Sequence, residues 1–218
     1  MNNWIRSPYV KIVLIYILAQ FVPALVLPFT PEKNQFTVSV YATMICFILG
    51  TAAMLWTNRR STFDNSLENS PRPALSTILT WGIAGTLLAF VGQYVAVAIE
   101  FFVFHLPLGS QNTQDILLTV GTYPLFLLLV SILGPVMEEF VFRKVIFGFL
   151  YDVIGGIGAA VISSLAFAFI HMDGHILIYS FMGFVFSFIY FKTKSIAAPI
   201  ISHALMNSLV AVASLMYY

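Results

Sequence analysis

A polytopic, all-α membrane bundle of about seven to eight helices is the fold class this sequence predicts, on three observations. The composition is 60% hydrophobic and only 9% charged, against roughly 45–50% and about 25% for an ordinary soluble domain. The apolar residues gather into runs of about 20, the length a helix needs to cross a hydrocarbon core. The ten Lys and Arg residues collect at alternate ends of those runs, which is the positive-inside signature. With 218 residues, one integral membrane domain over 1–218 is expected.

The first expected span, 9–28, follows the basic start MNNWIRSPYVK and is long, with no small-residue cleavage signal, so it reads as a retained helix and not a signal peptide. The second, 37–57, holds Cys46. It is the only cysteine, so no disulfide framework or cysteine-based zinc site is available within one chain. Residues 57–73, TNRRSTFDNSLENSPRP, are polar and proline-bearing and read as a water-facing linker. A third span, 75–104, leads into HLPLGSQNTQD (105–115), which carries no Lys or Arg, and a fourth is expected over 116–134. Spans 157–172, 175–192 and 196–217 complete the set, with Gly155-Gly156 as a hairpin tip between 135–152 and 157–172. With the N-terminus cytoplasmic, Arg6, Lys11, Arg59, Arg60, Arg72, Lys192 and Lys194 fall inside, Arg143 and Lys144 lie in the inner half of their segment, and only Lys33 falls outside.

Charges at bilayer depth cost roughly 2.5–3.5 kcal/mol on insertion scales, so intramembrane ionisable residues normally face a protein interior or a wet cavity. Three stretches of the second half break the apolar pattern. In GPVMEEFVFRK (134–144), Gly134-Pro135 predicts the start of a new helix, since proline suits its first turn. Glu139 and Arg143 are i,i+4 on one face and form an expected internal ion pair, while Glu138 points about 100° away and stays free. An unpaired, desolvated carboxylate has the character of a general base. In LAFAFIHMDGH (165–175), Phe167 lies i,i+4 from His171 and is placed to orient its imidazole; Asp173-Gly174 reads as a turn and His175 as a bystander. In ISHALMNS (201–208), His203 and Asn207 share a face and supply two donors that can hold an oxyanion or join helices. Measured from the hairpin tip, Glu138 and His171 reach a similar depth. His203, counted from Lys194, comes out about 12 Å shallower than Glu138 at 1.5 Å per residue.

Together, EExxxR (Glu138, Glu139, Arg143), FxxxH (Phe167, His171) and HxxxN (His203, Asn207) resemble, in order and pattern, the CPBP family of CAAX proteases and bacteriocin-processing or immunity proteins, also called Abi proteins. The motifs occupy 138–207, within a core of about 116–218, and the N-terminal third adds only its hydrophobicity. The resemblance implies an intramembrane endopeptidase. Glu138 and His171 would activate a water, His203 and Asn207 would stabilise the oxyanion, and Glu139, Arg143 and Phe167 would support the site. Lys144 departs from the pattern, since many members carry glycine after the arginine.

A membrane-associated protein or peptide is the implied substrate, the lipid bilayer the implied surroundings, and a bacterial plasma membrane the implied location. No cofactor is expected. The alternative is zinc held by Glu138, His171 and His203, since about three protein ligands suffice. Net charge +1 gives no nucleic-acid footprint. Two other classes compete: a non-catalytic membrane scaffold or regulator on the same fold, such as a bacteriocin-immunity or sensor partner, and a transporter. The transporter reading would call for internal sequence symmetry, which the chain lacks.

Overall fold

The computed structural model describes residues 7–217, all helix and connection, with no strand among them. Helix α1 (Pro8–Leu25) starts on proline, whose missing N–H needs no partner in a first turn. After a 3₁₀ turn at Leu27–Phe29 and another at Glu32–Asn34, α2 (Gln35–Arg60) packs back along α1 and ends on Arg59 and Arg60, which complement a helix C-terminus. Helix α3 is Leu75–Phe102, and α4 (Gln111–Thr122) is short and capped by Ser110, whose side chain accepts the Thr113 N–H.

The expected span 116–134 is not one helix. Its first part belongs to α4, and a fresh helical run starts beyond Tyr123-Pro124, because the residue before a proline is driven out of helical geometry. The expected break at Gly134-Pro135 does not occur either. The run is helical from Phe126 to His171: α5 (Phe126–Leu128), a π-helical stretch Leu129–Leu133, α6 (Gly134–Glu139), a second π-helical stretch Phe140–Phe147, and α7 (Gly148–His171). A π stretch is a way to pass an obstruction without ending a helix. At Pro135 the widened turn has a specific result: Gly134 N–H bonds the Leu129 carbonyl five residues back, and Pro135 has no N–H to offer the next carbonyl, Val130.

This run spans 46 residues, about 69 Å at 1.5 Å per residue, more than twice a hydrocarbon core. It therefore turns, at Gly155, whose φ of 78° and ψ of 167° are open to glycine. Its two arms, with α1, α2, α3, α8 (Ile176–Thr193) and α9 (Ala197–Tyr217), make seven long helical segments. Among the described residues, six continuous helices are long and apolar enough to cross a membrane, counting the 46-residue run once. Large apolar side chains such as Phe21, Leu49, Tyr94 and Leu209 cover the outer faces, as lipid-facing surfaces require.

Helix α8 is the central post, packed against α3, α7 and α9. Gly183 lets it approach α7 so closely that a Cβ there would sit 2.8 Å from the Ser164 Cα. The core that results is aromatic and methionine-rich, including Met137, Phe140, Phe142, Phe167, Met182, Phe186 and Met206.

The 57–73 segment keeps its place as a connection but is far from free in water. Phe63, Asn65 and Leu67 are buried, Ser66 is held by Asp152, and Glu68 accepts from Lys144 Nζ at 2.6 Å and from the Tyr190 hydroxyl. Lys144 is thus no intrusion in the core. Its buried ammonium has a dedicated carboxylate from this segment.

Candidate functional site

The four residues singled out in the sequence come from three separate stretches and line one cavity of about 1050 Å³: Glu138 on α6, His171 at the end of α7, His203 and Asn207 on α9. The depth mismatch at His203 is not seen in the fold, where His203 reaches both glutamates. Lys194 lies over the Tyr151 ring, so the start of α9 is near Tyr151 and the Gly155 tip projects beyond it.

The two glutamates are differently held. Glu139 is fully buried, 3.1 Å from Arg143 Nη1, and accepts from His203 Nδ1 at 2.9 Å. The Arg143 N–H vectors do not align on the carboxylate. The guanidinium instead lies over the rings of Phe167 and Phe186, 4.4 and 5.2 Å from their centroids. Glu138 makes no hydrogen bond to protein, keeps 17% of its side chain exposed to the cavity, and comes 3.8 Å from His203 Nε2.

Each histidine is fixed by its far nitrogen. His171 Nδ1 lies 2.8 Å from the Phe167 carbonyl, which can only accept, so Nδ1 carries the proton and neutral His171 presents its lone pair at Nε2. Its ring stacks on Tyr179 at 3.8 Å and meets the edge of Phe167 at 4.8 Å, the orienting contact expected of that phenylalanine. His203 is stacked on Phe186 at 4.7 Å, with Nδ1 committed to Glu139.

Asn207 is positioned by the Gly134-Pro135 turn. Its Nδ2 donates to the Val130 carbonyl at 3.1 Å, the acceptor that Pro135 leaves without a helical partner. Its second N–H remains available to the cavity it lines.

His175 is not a bystander. It is buried, with Nδ1 2.7 Å from Glu100 and Nε2 3.2 Å from the Gly109 carbonyl, and Glu100 also accepts the N–H groups of Leu177 and Ile178 at the start of α8. Glu100 was open to detection in the sequence as the single charge in the 75–104 run, and a buried carboxylate needs partners. Beside it, Asp173 accepts from the hydroxyls of Ser110 and Tyr179 at 2.6 and 2.9 Å. Partial burial alone would raise its pKa. The hydrogen bonds from Ser110, Tyr179 and the His175 backbone, together with the nearby His175, hold it below the ordinary aspartate value. These contacts tie the 105–110 loop and α4 over the mouth of the cavity.

Among the described residues, no group of three or more His, Cys, Asp or Glu side chains is arranged to hold a metal ion. Glu138, His171 and His203, the set named for zinc, line the same cavity, with Glu138 and His203 3.8 Å apart.

The family model described as Type II CAAX prenyl endopeptidase Rce1-like matches residues 120–209, which contain all of these motifs. Among curated proteins, the chain is 34% identical over 221 residues to the "Putative membrane peptidase YdiL" of Bacillus subtilis (strain 168), covering 96% of this chain and 90% of that protein. The chain belongs to the Rce1-like CAAX protease family. It is also 34% identical over 216 residues to the "Membrane-embedded CAAX protease MroQ" of Staphylococcus aureus (strain USA300), covering 94% of this chain and 87% of the relative. No solved structure matches. Membership in this family of membrane proteases and the six apolar spans make the chain an integral membrane protein.

Proposed function

We propose that this protein is an intramembrane endopeptidase that hydrolyses a peptide bond in a membrane-associated protein or peptide, using a water activated by Glu138 and His171 and no metal. The observation that carries the reading is the convergence of Glu138, His171, His203 and Asn207 on one cavity, with Glu138 free of hydrogen bonds to the described residues while its neighbour Glu139 is consumed by Arg143 and His203.

In this reading a water sits between the Glu138 carboxylate and His171 Nε2. As its oxygen attacks the carbonyl carbon, one proton passes to Glu138 and the carbonyl π pair moves to oxygen. Collapse of the tetrahedral intermediate breaks the C–N bond, and the proton held by Glu138 goes to the leaving amine, giving an acid and an amine from peptide and water. The oxyanion is held by Asn207 Nδ2–H and His203 Nε2–H. Because His203 Nδ1–H is already given to Glu139, a donor at Nε2 calls for the doubly protonated ring, which lies between the carboxylates of Glu139 and Glu138. The cytoplasmic N-terminus inferred from Arg59, Arg60, Lys192 and Lys194 puts the Ser110, Asp173 and His175 end of the cavity on the outer side of the membrane.

The test compares membrane peptides, by mass spectrometry, from cells carrying wild-type protein or Glu138→Gln at equal abundance. Cleavage products present only with wild type are expected. Identical peptide profiles from the two strains would favour the scaffold reading.

A further inference from the structure

Helix α8 carries none of the sequence motifs, yet both histidines of the proposed mechanism rest on it. Tyr179 lies face to face with His171, ring centroids 3.8 Å apart and planes inclined by 20°, and Phe186 lies face to face with His203, at 4.7 Å and 21°. The two aromatic residues are seven apart on α8, two helical turns to within about 20°, so they stand on one face of it. Met182, between them in sequence, lines the cavity. Phe167 touches both imidazoles edge-on, at 4.8 Å from His171 and 5.7 Å from His203. Each imidazole thus has one ring of α8 on its face and shares Phe167 at its edge.

One hydrogen bond does not fix the plane of a ring. His171 is the last residue of α7, followed by Met172 in the left-handed conformation (φ 51°), and its Nδ1 bond runs to a carbonyl one turn back on the same helix. The imidazole could still swing about that bond, and an aromatic face laid parallel to it from another helix removes the freedom. Tyr179 is itself pinned. Its hydroxyl donates to Asp173 Oδ2 at 2.9 Å, and Asp173 also accepts from Ser110 Oγ at 2.6 Å and from the His175 backbone N–H at 3.2 Å. Because Ser110 also caps α4, the ring under His171 is tied to the helix over the cavity mouth. Phe186 has no polar atom to tie and is held by complete burial. Gly183, on the turn between the two rings, is the residue that lets α8 close onto α7, the helix of His171.

We infer that Tyr179 and Phe186 are positioning residues, and that α8 is a platform setting the ring planes of His171 and His203 and so the directions in which their Nε2 atoms meet the cavity. The inference rests on the protease reading above and deepens it, giving the alignment of both histidines to a helix outside the motifs. Misplacing a reacting group by about 1 Å costs roughly a hundredfold in rate. A residue that only aligns such groups acts on turnover and leaves substrate affinity alone.

The experiment uses full-length protein in detergent and has two arms. The chain holds four histidines, so the imidazole C–H signals of ¹³C-histidine-labelled protein can be assigned by NMR with single substitutions. A ring laid flat on an aromatic face is shielded by it. Tyr179→Leu should therefore move the His171 signals downfield and leave those of His203, and Phe186→Leu should do the reverse, read well below its lowered melting temperature because it opens the core. The second arm follows turnover of a fluorogenic farnesylated peptide ending in a CAAX-type sequence. Tyr179→Leu should lower kcat about ten- to a hundredfold with KM little changed, and Tyr179→Phe, which keeps the ring, should restore most of that loss. An unchanged kcat in Tyr179→Leu, a loss carried by KM, or a Tyr179→Phe no better than Tyr179→Leu would overturn the inference. If the probe is cut but the histidine signals stay where they were, the inference fails and the protease reading stands. If wild type leaves the probe intact while the signals move as described, the protease reading fails and α8 remains the platform of the two rings.

Discussion

Glu139→Ala should cost this protein its fold far more than Glu138→Gln does, although the two residues are adjacent. Glu139 and Arg143 are both fully buried, 3.1 Å apart, and the same carboxylate holds His203 Nδ1. Removing one member of a buried pair strands the other charge, at roughly 3–5 kcal/mol. For a chain of this size each kcal/mol moves the melting temperature by roughly 2–4 °C, so a fall of roughly 6–20 °C is expected. The guanidinium keeps its contacts with Phe167 and Phe186, which places the result toward the lower half of that range. Glu138 has no protein hydrogen bond to lose, and glutamine fills its volume, so Glu138→Gln should melt within about 2 °C of wild type while turnover disappears. The double change Glu139→Gln with Arg143→Met removes both charges and should recover most of the lost stability without recovering activity, since His203 is still unanchored. Thermal unfolding in detergent alongside turnover measures all four proteins. A stable Glu139→Ala with an unstable Glu138→Gln would refute the division of labour.

Activity should survive dialysis against a strong chelator, and His203→Ala and Asn207→Ala should each lower kcat by about 10²–10³ as lost oxyanion donors; chelator inactivation reversed by zinc would sink the metal-free mechanism and leave the protease assignment standing. In a Cys46→Ser background, an impermeant maleimide applied to intact cells should modify Gln114→Cys but neither Thr62→Cys nor Lys192→Cys; labelling at 62 or 192 would reverse the orientation. Asp173 is held below its ordinary pKa in the fold, so the stability it contributes is fully present above about pH 4 and is lost as pH falls through the lower folded value. Melting temperature measured down an acid series should therefore fall in wild type and fall less in Asp173→Asn; parallel curves would show that the Ser110, Tyr179 and His175 contacts do not tie down the cavity mouth.

The site residues were legible because polar groups at bilayer depth are costly enough to stand out singly: Glu138, Glu139, Arg143, His171, His203 and Asn207 needed no structure to be noticed. Helical spacing also gave the Glu139–Arg143 pair and the Phe167–His171 contact. What spacing could not give was the relation between helices. Glu139 meets His203 from the turn just before a π-helical stretch, and a π stretch leaves no pattern in apolar periodicity. The 57–73 segment misled for a related reason. Its polarity is real, but Glu68, Asn65 and Ser66 spend it on Lys144, Tyr190, Tyr9 and Asp152, and composition does not distinguish groups paired with protein from groups paired with water.

Gly134-Pro135 carries the clearest link from sequence to chemistry, and it is not the link the dipeptide first suggests. Read as punctuation, it starts a helix. In the fold the helix passes through it, and the missing N–H of Pro135 acts on the residue five positions earlier, leaving the Val130 carbonyl unclaimed in a setting where water is scarce. An unclaimed carbonyl there must find a donor, and the donor is Asn207, on a helix more than seventy residues further along the chain. The proline thus aims one of the two oxyanion donors proposed here while touching neither substrate nor water. On the facing side, Glu139 aims the other by holding His203 Nδ1. Both proposed donors are fixed by groups on the Phe126–His171 run that also carries Glu138 and His171, so one continuous stretch of backbone holds the proposed base, its proposed partner and the anchors of both donors in a common frame.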